Sequence, residues 1–327
     1  MKALPEGFET GTLFGSLAEG WDFDVESADY AAVGAGSYHW VVRAGDGTRA
    51  FATVDDLDQK SWLGEGRDSR FDGLRSCFDT AAALRDAGLV FVVAPIPTSR
   101  GESVVRVEPR HTVALFPFVD GRAGEWGPFA ADERDAVLSM LAELHRATPG
   151  VASVAHIVGL ELPGRAHIET ALGDVDEPWS GGPFSEPARR ALADRAADVA
   201  ELLALADRLA AAVEARGDEW VVTHGEPHAG NVMRSGERRL LVDWDTVALA
   251  PPERDLWLPI DDAEGELAAA YADATGRAVD PTALEFFRRL WDLKDLAEWL
   301  NVLRAPHTEN ADTTRQLGGL RRVVAAP

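Results

Sequence analysis

The chain has 327 residues, 46% hydrophobic and 27% charged, enough for one large domain or two lobes around a substantial core. Acidic residues number 55 against 32 basic ones, a net charge of -23. Such a surface repels nucleic acid and anionic membrane, so neither is expected as a partner, and it attracts cationic substrates; the same surplus also suits plain solubility or adaptation to salt. The single cysteine, Cys77, excludes an internal disulfide framework and reads as a small buried hydrophobe. With no apolar stretch near Met1 and no run of about 18 apolar residues, the expected location is the cytoplasm.

In chain order, strand signals dominate to about residue 110. Residues 30–33, 38–43 and 49–54 read as a β-meander. Gly34-Ala35-Gly36-Ser37 separates its first two strands, and Gly45-Asp46-Gly47 is a hairpin signal between the next two. Residues 77–87 read as a helix ended by Gly88. Two more strands follow near 104–108 and 112–119, with Pro117 late in the second. The remainder is mostly helical. Residues 132–145 carry an apolar stripe at 137, 138, 141 and 144. Residues 187–216 read as one long Ala-rich helix and 279–304 as another, while 159–185, rich in Gly and Pro, reads as an irregular insertion. The expected class is α+β: a small antiparallel sheet with one helix over 1–115, a connector at 116–125, and a larger helical lobe over 126–327. Two lobes with a cleft suit a nucleotide-binding enzyme.

The chemistry lies in a compact non-helical stretch, 220–257. There Val-Val-Thr-His224-Gly-Glu226-Pro-His228-Ala-Gly-Asn231 is followed by Leu-Leu-Val-Asp243-Trp-Asp245. Phosphoryl transfer from a nucleotide needs positioning and charge neutralisation more than covalent help. An Asn amide and a carboxylate can hold Mg²⁺ against phosphates, which Asn231 and Asp243 fit. A separate carboxylate can orient a hydroxyl and accept its proton, which Glu226 fits.

This segment resembles the H-G-D-x-H-x-x-N loop and the following I-D-W segment of the aminoglycoside phosphotransferase family, which shares the protein-kinase-like fold. Leu141-Ala-Glu-Leu-His145 resembles its L-x-x-L-H helix, and Ala250-Pro-Pro-Glu-Arg-Asp255-Leu-Trp257 its next block, so the resemblance spans roughly residues 30 to 304. It implies ATP or GTP with Mg²⁺ as cofactors, Asn231 and Asp243 as metal ligands, and Glu226 as the base. His224 then packs beneath the loop, His228 braces it, and Asp255 ties backbone N–H groups. Gly34, Gly36 and Ser37 match the glycine-rich loop over the phosphates, with Leu115-Phe116-Pro117-Phe118 as the hinge beside the base.

Two departures stand out. The family usually has Asp where Glu226 stands; one extra methylene moves the carboxylate by roughly 1.5 Å unless the side chain folds back. The third strand should also present a phosphate-binding Lys, but Thr53 stands there, and Asp79-Thr80 replaces the Glu that would pair with it. Both halves of that ion pair have gone together, as the cost of an unpaired buried charge requires. Lys60 and Arg43 are the candidate replacement cations, each also readable as ordinary surface charge.

On the acceptor side, Asp292, Asp295 and Glu298 recur at i, i+3 and i+6 beside Trp291 and Trp299. They suit a polyamine-like or aminocyclitol substrate, and equally a solvated acidic face over core tryptophans. Asp245 either supports the metal and substrate or faces solvent. The implied function is transfer of the γ-phosphate to a hydroxyl of a small molecule: an aminoglycoside or aminocyclitol, or choline, homoserine or fructosamine. The alternative, motivated by Thr53 and Glu226, is a non-catalytic protein that binds nucleotide or a small molecule. Nucleotidyl transfer is a third reading that no feature selects.

Overall fold

A computed structural model describes residues 4–5, 7–34, 36–125, 127, 129–217 and 219–325, with Asp132 described by its backbone alone. In chain order the elements are α1 (Thr10–Trp21), β1 (Val25–Ala31), β2 (Ser37–Ala44), β3 (Arg49–Asp56), α2 (Gly66–Asp86), β4 (Val105–Arg106) and β5 (His111–Pro117). Next come β6 (Arg122–Ala123), α3 (Ala131–Arg146), α4 (Thr148–Val151), α5 (Arg165–Gly173), α6 (Ser185–Ala193) and α7 (Ala196–Arg216). The chain closes with β7 (Val221–Thr223), β8 (Val232–Ser235), β9 (Arg238–Leu241), β10 (Ala248–Ala250), α8 (Glu253–Leu256), α9 (Glu266–Thr275), α10 (Pro281–Arg304) and α11 (Ala311–Ala325). They form two compact units, one built from 1–158 and 219–279, the other from 159–218 and 280–327. Among the described residues, no helix is long and apolar enough to cross a membrane.

The first unit contains an antiparallel five-stranded sheet in the order β1-β2-β3-β5-β4. The period-2 alternation of its strands decides where the chemistry goes. Trp40, Val42, Ala52 and Val54 point to one face and bury against Leu13 and Leu17 of α1. Ser37, His39, Thr53 and Asp55 have the opposite parity and lie on the other face, paired across β2 and β3 as Ser37 with Asp55 and His39 with Thr53. Helix α1 escapes the sequence reading because Gly11, Gly15 and Gly20 lower its propensity; packing of Leu13 and Leu17 overrides that. Helix α2 starts at Gly66, well before the expected residue 77.

The same unit holds a β10-β7 pair and a three-stranded β6-β8-β9 sheet. In the second unit, α5, α6, α7, α10 and α11 pack around Ile168, Leu192, Leu203, Leu296, Leu300 and Leu320. Two expectations need correction here. The stretch 159–185 contains a regular helix, α5, whose Ile168 and Ala171 face this core. The expected single helix over 187–216 is two, broken where Arg195 takes φ -132° and ψ 19°. The break lets the apolar stripes of α6 and α7 each meet the core. Helix α10 begins where Asp280 caps it, accepting from the Thr282 N–H at 2.9 Å, with Pro281 in its first turn.

Candidate active site

Strand β7 carries the chain into the His224 loop. Its anchor is Asp255 of α8, a fully buried carboxylate that accepts the backbone N–H of His224 at 2.8 Å and of Gly225 at 2.6 Å. His145 from α3 reaches the same carboxylate through Nε2 at 3.1 Å. Burial opposes ionisation of Asp255, but the His145 bond and nearby positive groups outweigh it and its pKa is lowered. The expected structural role of Asp255 is what the geometry shows. Gly225 has φ +96°, and a Cβ there would come within 2.4 Å of the Arg254 guanidinium, so this position needs glycine twice over.

His224 is buried beneath the loop. Its Nε2 donates to the Val242 carbonyl at 2.9 Å, its Nδ1 accepts the Glu226 N–H at 3.3 Å, and its ring meets Trp244 edge-on at 4.6 Å. Burial holds its pKa down, so it is neutral and serves as a spacer with two hydrogen bonds. Asn231 sits in the 3-10 turn Ala229–Asn231. Its Nδ2 donates to the Glu226 carbonyl at 2.9 Å, which fixes the amide plane, and its own carbonyl accepts the Val242 N–H at 3.0 Å. The loop residue Asn231 is thereby tied to the segment that presents Asp243. Asp243 itself has φ +66°; with Asp22 it is one of two non-glycine residues at positive φ among the described residues. Strain of this kind persists where surrounding structure over-determines it, often at functional sites.

A second cluster sits on the sheet side. Lys60, between the 3-10 turns Leu57–Gln59 and Ser61–Leu63, is fully buried. Its Nζ donates to Asp55 Oδ1 at 2.8 Å, to Ser37 Oγ at 2.9 Å, and to Asp245 Oδ2. Ser37 Oγ donates to Asp55 Oδ1 at 2.6 Å, closing a triangle. Burial alone would lower the Lys60 pKa, but Asp245 and Asp55, with Asp243 behind them, raise it, so the ammonium is permanent. Of the two candidate cations, Lys60 is the one brought to this cluster. Arg43 is a correction: it stands exposed at the far end of β2, opposite Arg49, and is not brought to the cluster. Of the two expectations for Asp245, a solvent-facing side chain is excluded, since it is buried against Lys60. Thr53 shares the Asp55 face, but its hydroxyl pairs with His39 Nδ1 at 3.1 Å. Asp79, at the place of the missing acid, accepts from Ser103 at 2.6 Å instead.

Asp243 is exposed to solvent. Even so, its pKa is raised, first by the dense protein around the carboxyl, then by Asp245, with Glu226 and Asp55 adding to it and Lys60 opposing. Four carboxylates against one ammonium make a strongly negative site that a divalent cation relieves. Asn231 and Asp243 offer hard oxygen donors, and Mg²⁺ takes one or two protein oxygens of this kind beside phosphate and water. The residues present fit Mg²⁺.

The remaining candidates are placed as follows. Gly34 and Gly36 have φ +67° and +91° and lead into Ser37 at the start of β2; Ala35 lies outside the described residues. Phe116 meets Phe78 of α2 edge-on at 5.5 Å, and Phe118 carries the Arg49 guanidinium over its ring at 4.1 Å. Asp292, Asp295, Glu298 and Trp299 all lie on α10 in the second unit. Asp292 is half-buried, and loss of solvation raises its pKa; Glu298 is exposed. Trp299 is not an open platform: a Cβ on Gly319 of α11 would come within 2.4 Å of its indole. Asp55 is the residue that sequence reasoning missed; its signal was parity with Thr53 along β3.

A five-stranded antiparallel sheet with a glycine turn, a helical remainder, and a His–acid–Asn loop leading to an Asp segment define a two-lobed, protein-kinase-like phosphotransferase fold. The model of the phosphotransferase enzyme family (APH) matches residues 29–290, and the chain belongs to that family. Among curated proteins, Protein StrN of Streptomyces griseus is 26% identical over 276 residues, 81% of either chain. Among solved structures, spectinomycin phosphotransferase in complex with ADP and spectinomycin aligns with a TM-score of 0.72 at 15% identity, covering 98% of this chain and 99% of that one. Choline kinase LicA from Streptococcus pneumoniae aligns at 0.58 and 12% identity, covering 97% and 98%. A microcompartment-associated aminopropanol kinase aligns at 0.61 and 16%, covering 97% and 96%.

Proposed function

We propose that the protein transfers the γ-phosphoryl group of ATP or GTP, with Mg²⁺, to a hydroxyl of a small cationic molecule of the amino alcohol or aminocyclitol type. The observation that carries this is the tie between Asn231 and the Asp243 segment through the Val242 N–H, with Glu226 held to Asn231 in the same loop. Asn231 and Asp243 would hold the metal, whose charge offsets that developing on the transferring phosphoryl oxygens. Glu226 orients the acceptor hydroxyl and takes its proton as the acceptor oxygen bonds to phosphorus and the bridging bond to the nucleoside diphosphate breaks. The turn at Gly34 and Gly36 offers backbone N–H groups, and Lys60 a cation, to the phosphates.

On this reading residues 1–115 form the nucleotide lobe, 116–125 the connector with Phe116 and Phe118 beside the base, and 126–327 the lobe with catalytic loop and acceptor site. Two observations support a cationic acceptor: the net charge of -23, and relatives of the same fold named for spectinomycin, aminopropanol and choline. Asp292, Asp295 and Glu298 are the proposed acidic contacts.

Incubation with Mg²⁺, ATP or GTP and a panel of amino alcohols, aminocyclitols and aminoglycosides, read by mass spectrometry, tests this. The expected product is an acceptor heavier by one phosphoryl group, with nucleoside diphosphate. Nucleotide binding with no product on any acceptor would instead support the binding-protein reading, and a nucleoside monophosphate adduct would support nucleotidyl transfer.

A further inference from the structure

Lys60 sits on a turn, not on a strand, so something must hold its charge where a nucleotide needs it. We propose that Asp55 is the positioning residue for Lys60, a strand-borne carboxylate that keeps the ammonium in place while Asp245 is exchanged for nucleotide phosphate. This rests on the nucleotide reading above and assigns a residue that the family motifs do not.

Three observations carry it. First, Lys60 is fully buried, and a buried ammonium must keep a carboxylate partner. It has two, Asp55 and Asp245, so it can release one to a phosphate and remain paired. Second, the two partners differ in rigidity. Asp55 lies in β3, hydrogen-bonded between β2 and β5, whereas Asp245 follows Asp243 in a non-repetitive segment between β9 and β10. The strand-held partner is the one suited to stay. Third, Asp55 also accepts from Ser37, the first residue after the glycine turn, and Lys60 donates to that same hydroxyl. One carboxylate oxygen thus sets the ammonium and the end of the glycine turn together. Asp55 is 1% exposed, and its Oδ2 has no hydrogen-bond partner among the described residues. The pair thus takes over, from a strand and a turn, the task that Thr53 and Asp79 cannot perform.

The test is a double-mutant cycle on affinity for a fluorescent ADP analogue with Mg²⁺, using Asp55→Asn, Lys60→Met and their combination, with thermal melts as a folding control. Lys60→Met and Asp55→Asn are each expected to weaken binding about tenfold. In the Lys60→Met background, Asp55→Asn should change it less than about twofold, because its effect runs through the missing ammonium. Asp55→Glu should recover part of the loss, which a purely structural role would not predict. Where an acceptor is known, the loss should appear in KM for the nucleotide more than in kcat. If Asp55→Asn costs the same in both backgrounds, or Lys60→Met costs nothing, the proposal is overturned. If Asp55→Asn does not fold, the double variant, which removes both buried charges, decides: folding with the affinity of Lys60→Met alone supports the proposal, and a further tenfold loss overturns it. The readout needs no acceptor. Nucleotide binding without turnover therefore removes the transfer reading while leaving this cycle decisive, and a wild-type protein that binds no nucleotide overturns both.

Discussion

The His224–Asn231 loop and the Lys60 corner solve the same problem, holding charged groups in a crowded, negative site, by opposite means. In the loop the backbone does the holding. Asp255 receives two consecutive N–H groups, Val242 bonds Asn231, and Gly225 is fixed by its neighbours. In the corner, side chains from four separate segments do it: Ser37, Asp55, Lys60 and Asp245. Backbone-held geometry constrains the sequence around it and so keeps a motif. Side-chain-held geometry requires only that a cation and its partners meet, and the cation can arrive from a different stretch of chain.

The sharpest way to break this contrast is to remove the loop's own chemistry. Glu226→Gln keeps the shape and hydrogen-bonding capacity of the side chain but cannot accept a proton, so kcat should fall by roughly 10²–10⁴-fold with little change in nucleotide affinity. Steady-state kinetics reads this, and an unchanged kcat would remove Glu226 from the base role. Next in size, Asp255→Ala leaves two buried N–H groups and His145 without their acceptor. Destabilisation of about 3–5 kcal/mol is expected in chemical denaturation, a loss of fold more than of chemistry.

Smaller effects separate the two regions further. Each holds a half-buried histidine that is neutral in the folded state: loss of solvation lowers His39, on the sheet side, to about 3 and His228, in the loop, to about 4. On unfolding, each returns to an ordinary value near 6.5 and takes up a proton. The stability they contribute is complete above that value and declines as pH falls through 6.5 toward 4 and then 3, on the order of 1–3 kcal/mol per histidine. Melting curves at pH 7.5 and 5 should show the loss, and His228→Asn should flatten the slope. The smallest effect is expected at Arg43. Arg43→Ala should leave nucleotide affinity within about twofold of the wild type, in contrast to Lys60→Met; a tenfold loss would return Arg43 to the site.

The same contrast explains what could be read from the sequence. The loop was legible because His224, Glu226, Asn231 and Asp243 fall in order, each group closing a hydrophobic run. The corner was half legible. Thr53 showed that the expected lysine is missing from the strand, but the spacing from Thr53 to Lys60 follows no helical or strand period, because the 3-10 turn Leu57–Gln59 intervenes. Asp55 could have been flagged by the parity it shares with Thr53. Among the elements, α1 was hidden by its glycines, α5 by the prolines and glycines flanking it, and the division of α6 from α7 by continuous Ala-rich composition that gives no sign of where the core turns.

Asp243 is where the two regions meet, tied to Asn231 through Val242 and lying in the field of Lys60, and it offers the most direct test of the account. Transfer of phosphoryl from ATP or GTP to an amino-alcohol or aminocyclitol acceptor should be measured for the wild type and Asp243→Ala across a Mg²⁺ titration. The account predicts turnover by the wild type that saturates with Mg²⁺ and falls by about 10³-fold or more in the variant at every Mg²⁺ concentration. Equal turnover by both proteins, or turnover that is indifferent to Mg²⁺, would contradict it.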